Sequence, residues 1–156
     1  MQSITPCLWF DNQAEEAARF YTSILPNSKV TAVTHYGDAG PLPKGTVMTV
    51  VFQLNNQEFM ALNGGPLFTF SPAISFMVKC ESQDEIDRYW NQLSADQSQE
   101  QCGWLKDKFG VSWQIVPAIL DQLITDRDPA KVERVMVALM KMRKLDIAGL
   151  QRAHAG

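Results

Sequence analysis

The sequence predicts an α+β domain in which two copies of a strand-helix-strands unit share one sheet system, followed by a helical C-terminal extension. Three observations carry this. Asp11-Asn12-Gln13 followed by Glu15-Glu16-Ala17-Ala18-Arg19-Phe20-Tyr21 matches Glu81-Ser82-Gln83 followed by Asp84-Glu85-Ile86-Asp87-Arg88-Tyr89-Trp90, an internal repeat of about seventy residues. Residues 102–117 read as two short strands around a turn, with alternating apolar and polar side chains from Val111 to Val116. Beyond Pro117 the apolar spacing becomes helical. The expected organisation is residues 1–117 as tandem units, about 1–66 and 67–117, with 118–156 as an extension of the same domain.

The elements follow in order. Residues 4–10 are a short apolar strand, closed by Asp11-Asn12 as a helix-capping signal. Ala14, Ala17, Ala18, Tyr21, Ile24 and Leu25 recur at helical spacing, with Glu15 and Glu16 in the first turn where the helix dipole favours them, and Pro26-Asn27 ends the helix. Residues 29–36, 46–54 and 58–62 read as strands separated by Gly- and Asn-rich turns, and Asn63-Gly64-Gly65-Pro66 closes the set. The second cycle runs through a strand at 74–78, a helix at 84–93 with Ile86, Tyr89, Trp90 and Leu93 on one face, and a continuation through 98–102 into the hairpin. Asp107-Lys108-Phe109-Gly110 is its turn, where a solvated carboxylate is expected, and Trp104 and Trp113 are assigned to the core. In the extension, residues 119–124 form a short helix and Asp126, Asp128 and Pro129 start a new one. It carries Val132, Val135, Met136, Leu139 and Met140 on one stripe, with Lys131, Arg134, Lys141, Arg143 and Lys144 mostly off it as a solvated face and His154 in a frayed tail.

With 156 residues, 46% hydrophobic and 20% charged, the chain can bury a core without staples. A net charge of −3 and a pI of about 5.3 give no electrostatic footprint for nucleic acid. Cys7, Cys80 and Cys102 are widely spaced with no Cys-x-x-Cys pair, so reduced thiols in a cytoplasmic protein are expected. No basic stretch precedes an apolar leader and no window approaches a membrane span, so neither export nor membrane insertion is expected.

Leu8-Trp9-Phe10-Asp11, Glu15-Glu16-Ala17, Phe20-Tyr21, the run from Phe59 to Pro66, Tyr89-Trp90, Cys102-Gly103-Trp104 and the run from Trp113 to Pro117, with Lys144-Leu145-Asp146-Ile147 in the tail, together resemble the vicinal oxygen chelate superfamily of glyoxalase I, bleomycin-resistance proteins and extradiol dioxygenases. Within it the sequence is similar to the PhnB-like family, which carries the label 3-demethylubiquinone-9 3-methyltransferase. The resemblance implies paired βαβββ modules forming a cupped mixed sheet around a pocket, the glyoxalase/bleomycin-resistance fold, usually completed by homodimerisation. It also implies, in metal-dependent members, His and Glu ligands from the first and last strand of each module. Carried over by position these places fall on Ile4 or Pro6, on Ala61, on Ser75 and on Gln114, a set without a carboxylate or imidazole, so no metal is expected. The methyltransferase label implies S-adenosylmethionine, yet Gly64-Gly65-Pro66 does not follow a strand of a doubly wound sheet, and no cofactor is expected.

Strand alternation places Phe59, Ala61 and Asn63, then Ser75, Met77 and Lys79, then Ser112, Gln114 and Val116 on the cup-facing side, a mostly apolar surface suited to a small amphipathic molecule. Three functions stay open at this level. One is a metal-free small-molecule binder, as the bleomycin-resistance-like relatives are at a dimer interface. Another is a lyase, isomerase or transferase using His35 or Cys102 with Gln114 as polarising donor. The third is an interaction protein docking through its Met-rich tail.

Overall fold

A computed structural model describes residues 3–156. The chain divides into two compact units, one ending at Phe70 and one from Ser71 to Gly156.

The first unit contains β1 (Cys7–Phe10), α1 (Ala14–Ile24), β2 (Lys29–His35), β3 (Val47–Leu54) and β4 (Gln57–Asn63), in the sheet order β1-β4-β3-β2. β1 runs parallel to β4 and the other neighbours are antiparallel. Asn55 and Asn56, both at positive φ (47° and 67°), make the tight β3–β4 turn that asparagine tolerates better than most residues. The expected Asp11-Asn12 cap is not what closes α1. Its N-cap is Gln13, without a side-chain bond, and the first helical amide of Ala14 donates instead to Asn63 Oδ1 at 2.8 Å from the end of β4. Ala14, Ala17, Ala18 and Tyr21 are buried beneath the helix, and the Tyr21 ring lies 6.4 Å from Phe52, which stacks on Phe59 at 5.5 Å.

The second unit contains β5 (Ser75–Cys80), α2 (Gln83–Leu93), β6 (Trp104–Lys106), β7 (Ser112–Pro117) and helices α3 (Leu120–Ile124), α4 (Pro129–Leu139) and α5 (Ile147–Ala155). Its sheet has three strands in the order β5-β7-β6, again with a parallel pair joined across the helix. The repeat is therefore unequal. Where the first unit has β2, the second has the 3-10 turn Gln97–Gln99 and a single bridge between Gln101 and Trp104. Asp96 accounts for the change, because its carboxylate accepts from both the amide and the hydroxyl of Ser98 and closes the chain into a turn. Ser82 caps α2 by accepting from the Glu85 amide, and the Glu85 carboxylate reaches back to the Glu81 amide.

The extension is tied to this unit along its length. Val116 is buried with Leu123, Val135, Leu145 and Leu150. Gln83 donates to the Leu145 carbonyl and accepts from the Ile147 amide, and Lys144 pairs with Asp87 at 2.8 Å. Cys102 and Gly103, at φ of 52° and 85°, turn the backbone so that their amides donate to Met142 and Arg143. Two expectations for the extension are corrected. Arg134 is not solvated, since it donates to the carbonyls of Ala153 and His154 at the end of α5. His154 is not frayed, since it bonds Asp126 at 2.8 Å. Among the described residues no helix is long and apolar enough to cross a membrane.

Candidate functional site

Each sheet has one face under its helix and one opposite it. The registers decide which side chain lies on which face. In the first unit Cys7, Trp9, Met60, Leu62, Thr49 and Val51 share the face away from α1, because Cys7 pairs with Met60, Trp9 with Leu62, Thr49 with Leu62 and Val51 with Met60. Phe59, Ala61 and Asn63 therefore lie on the α1 side, against the expectation that placed them on the cup. Phe59 and Ala61 are buried core, and Asn63, 5% exposed, is a strut. Its carboxamide holds Ala14 and donates to the Val47 carbonyl at 3.0 Å, while its own carbonyl accepts from the Tyr36 hydroxyl at 2.6 Å. The open face of this unit is apolar around Trp9, with one carboxylate at its margin, Glu58, which accepts from the Thr5 hydroxyl at 3.0 Å.

In the second unit the expected side chains do come together. Ser75 pairs with Ser112, Met77 with Gln114 and Lys79 with Val116, while Trp104 faces Gln114 from the other neighbour. Gln114 donates to the Ser75 hydroxyl at 2.9 Å, with the exposed Met77 and half-buried Trp104 beside it. Trp104 is thus a surface of this face, whereas Trp113 lies on the α2 side, 2% exposed, with its ring 5.4 Å from Phe76. Ser112 is buried, and Val116 is covered by the extension. Lys79 pairs with Asp121 of α3.

The sequence missed Asp107. It is 3% exposed rather than solvated, and its carboxylate accepts from the amides of Phe109 and Val111 and from the Trp113 indole at 2.9 Å. This carboxylate knits the hairpin; the signal was present as an Asp two residues before an amide it could bond, the pattern of an Asx turn.

Among the described residues no base stands beside the candidate acid-base groups His35 and Cys102. His35 is exposed at the end of β2, opposite Val47. The Cys102 thiol has the Gln101 carboxamide at 3.3 Å and the Met140 thioether at 3.9 Å, neither of them a base. Burial, aided by the charge of Glu85, pushes the Cys80 thiol up to about 12, which keeps it unreactive. A cavity of about 480 Å³ beside it, lined by Glu81, Ile119, Gln122 and Gln151, lies where the extension meets the ends of β5 and β7.

The donors at the expected ligand positions do not fit a metal. Ser75 and Gln114 offer a hydroxyl and an amide, Ala61 points under α1, and among the described residues no three His, Cys, Asp or Glu side chains gather to hold an ion. Nor do Gly64 and Gly65 form a cradle. Their amides donate to the Phe10 and Asp11 carbonyls, and a Cβ on Gly64 would lie 2.3 Å from the Trp9 ring, whose indole N–H donates to the Gly65 carbonyl. These glycines seat Trp9.

Residues 2–116 match the family profile described as 3-demethylubiquinone-9 3-methyltransferase. The chain belongs to this family. Among solved structures it is 40% identical to the PhnB protein from Bacillus cereus, with a TM-score of 0.66, covering 75% of this chain and 100% of that one. It is 21% identical to protein PA1353 from Pseudomonas aeruginosa, with a TM-score of 0.58 over 75% of this chain and 98% of that one. A Staphylococcus aureus protein is 33% identical over 74% of this chain and 95% of its own, with a TM-score of 0.34. Nothing among curated proteins matches. The PhnB-like assignment expected from the motifs is thereby established, and the α+β class is seen in the two mixed sheets and their helices. The family match ends at Val116, so the helical extension, including residues 144–147 that the motif comparison had counted, lies outside it.

Proposed function

We propose that this PhnB-like protein binds a small amphipathic molecule on the open faces of its sheets without a metal ion or an organic cofactor. One observation carries the reading: the Gln114–Ser75 pair lies between Met77 and Trp104 on a face that α2 leaves uncovered, an apolar platform with a few oriented polar groups. Trp9, Met60 and Leu62 give the first unit a more apolar counterpart. The neutral donors at the expected ligand positions favour binding over Lewis-acid chemistry. Three free cysteines suit a reducing compartment such as the cytoplasm, and the exposed Ile4, Leu67, Phe68 and Ile74 suit a homodimer. The enzymatic alternative through His35 or Cys102 gains nothing from their surroundings.

Two measurements test this. Incubation with Ni, Zn, Mn and Fe followed by dialysis should leave less than stoichiometric metal, and one ion per chain overturns the metal-free reading. Titration with the neutral fluorophore N-phenyl-1-naphthylamine should show saturable binding that Met77→Glu weakens about tenfold, since a desolvated carboxylate opposes an apolar ring. Equal binding by the variant overturns the assignment of the face.

A further inference from the structure

The strand side chains on the second unit's open face carry charge of one sign. By register the strand side chains on this face are Ser75, Met77, Lys79, Ser112, Gln114, Val116, Trp104 and Lys106, with no acid among them. Its acid comes from α3. Asp121 pairs with Lys79, and α3 belongs to the part of the chain beyond the family match. Both partners reach solvent, with side chains 51% and 62% exposed, so the pair is open to exchange with a competing anion. Gln114 uses one amide hydrogen on Ser75 and keeps a second donor for a ligand. Lys106, at the hairpin end of the same face, adds a second cation whose field reaches Asp96.

We propose that this face takes a planar apolar molecule bearing an anionic group, and that the anion displaces Asp121 from Lys79. The inference rests on the reading of this face as the ligand site and adds its charge selectivity. Met77 and Trp104 supply the apolar contact, Lys79 anchors the charge, and Asp121 is the built-in competitor that holds Lys79 in place when no ligand is bound. Occupancy by a neutral molecule leaves the Lys79–Asp121 pair intact.

The full-length chain is titrated with 8-anilinonaphthalene-1-sulfonate and with N-phenyl-1-naphthylamine, which share one aromatic framework and differ by the sulfonate. The anionic probe should bind more tightly, and added salt should narrow the difference. Lys79→Ala should weaken the sulfonate about three- to fivefold and leave the neutral probe unchanged, as loss of one solvent-exposed charge contact implies. Asp121→Asn should strengthen the sulfonate about two- to threefold, again with no change for the neutral probe. If the ratio of the two affinities ignores both substitutions while Met77→Glu still weakens the neutral probe, the charge inference falls and the ligand face stands. If Met77→Glu affects neither probe, the face itself is wrong. All three positions are exposed, so the variants fold.

Discussion

The two units begin from one sequence motif and use corresponding strands differently. In the first, β4 is apolar on both faces, with Phe59 and Ala61 under α1 and Met60 and Leu62 opposite. In the second, β7 alternates cleanly, with Trp113 and Ile115 under α2 and Gln114 opposite. The first unit closes its helix entry with a polar strut from the sheet, Asn63, while the second caps α2 locally with Ser82 and uses the freed end of its sheet to dock a helical extension. A duplicated scaffold thus tolerates different solutions at each joint so long as one face of each sheet meets its helix.

That contrast is open to attack at its strongest point. Phe59→Ala should cost about 3–5 kcal/mol in urea unfolding, the range for deleting a buried aromatic, whereas Met77→Ala should stay within about 0.5 kcal/mol. A small loss at Phe59 would mean that the residue faces a ligand and that the two units do share one polarity. Asn63→Ala comes next, at about 3 kcal/mol, because it leaves the buried Ala14 amide without its cap and the part-buried Val47 carbonyl without its donor. Gln83→Ala should cost about 1–2 kcal/mol, removing both bonds that join α2 to the start of α5. Limited proteolysis reports it directly: cleavage after residue 117 should speed up in this variant, and unchanged rates would show that the apolar contacts of Val116, Leu145 and Leu150 hold the extension alone.

The sequence was legible where pattern and environment agree. Alternation along β5 and β7 placed Ser75, Met77 and Gln114 on one face because Ser112 and Gln114 alternate with Trp113 and Ile115, which leaves one parity for the dry helix side. Around β4 the same reasoning failed, since Phe59 to Leu62 are apolar in both parities, and the polar residue that closes the strand, Asn63, points into the protein to cap α1. A remote cap has no local spacing to announce it. The lost fourth strand of the second unit depends on a single Asp96–Ser98 turn, weaker in the sequence than the repeat that argued for a strand. His154 and Arg134 took their places because the extension folds back on itself, which no periodicity within one helix encodes.

The smallest predicted effect concerns acid. The carboxyls held below their usual range, Asp87, Asp96 and Asp126, all belong to the second unit. Asp87 is lowered first by its bond from Lys144 and then by Gln83, and Asp126 first by the Asp128 amide and then by His154. A carboxyl depressed in the folded state contributes stability that is present above its unfolded value, about 3.9, and is lost as pH falls through the folded value. Acidification below about pH 4 should therefore reduce hydrogen-exchange protection in residues 71–156 before residues 3–70. Asp126→Asn and Asp87→Asn remove groups whose protonation drives the change, so each should narrow that difference while lowering protection at neutral pH. If both units lose protection together, or if neither variant narrows the gap, the extension is held by its apolar core and these surface carboxylates contribute nothing to the contrast between the units.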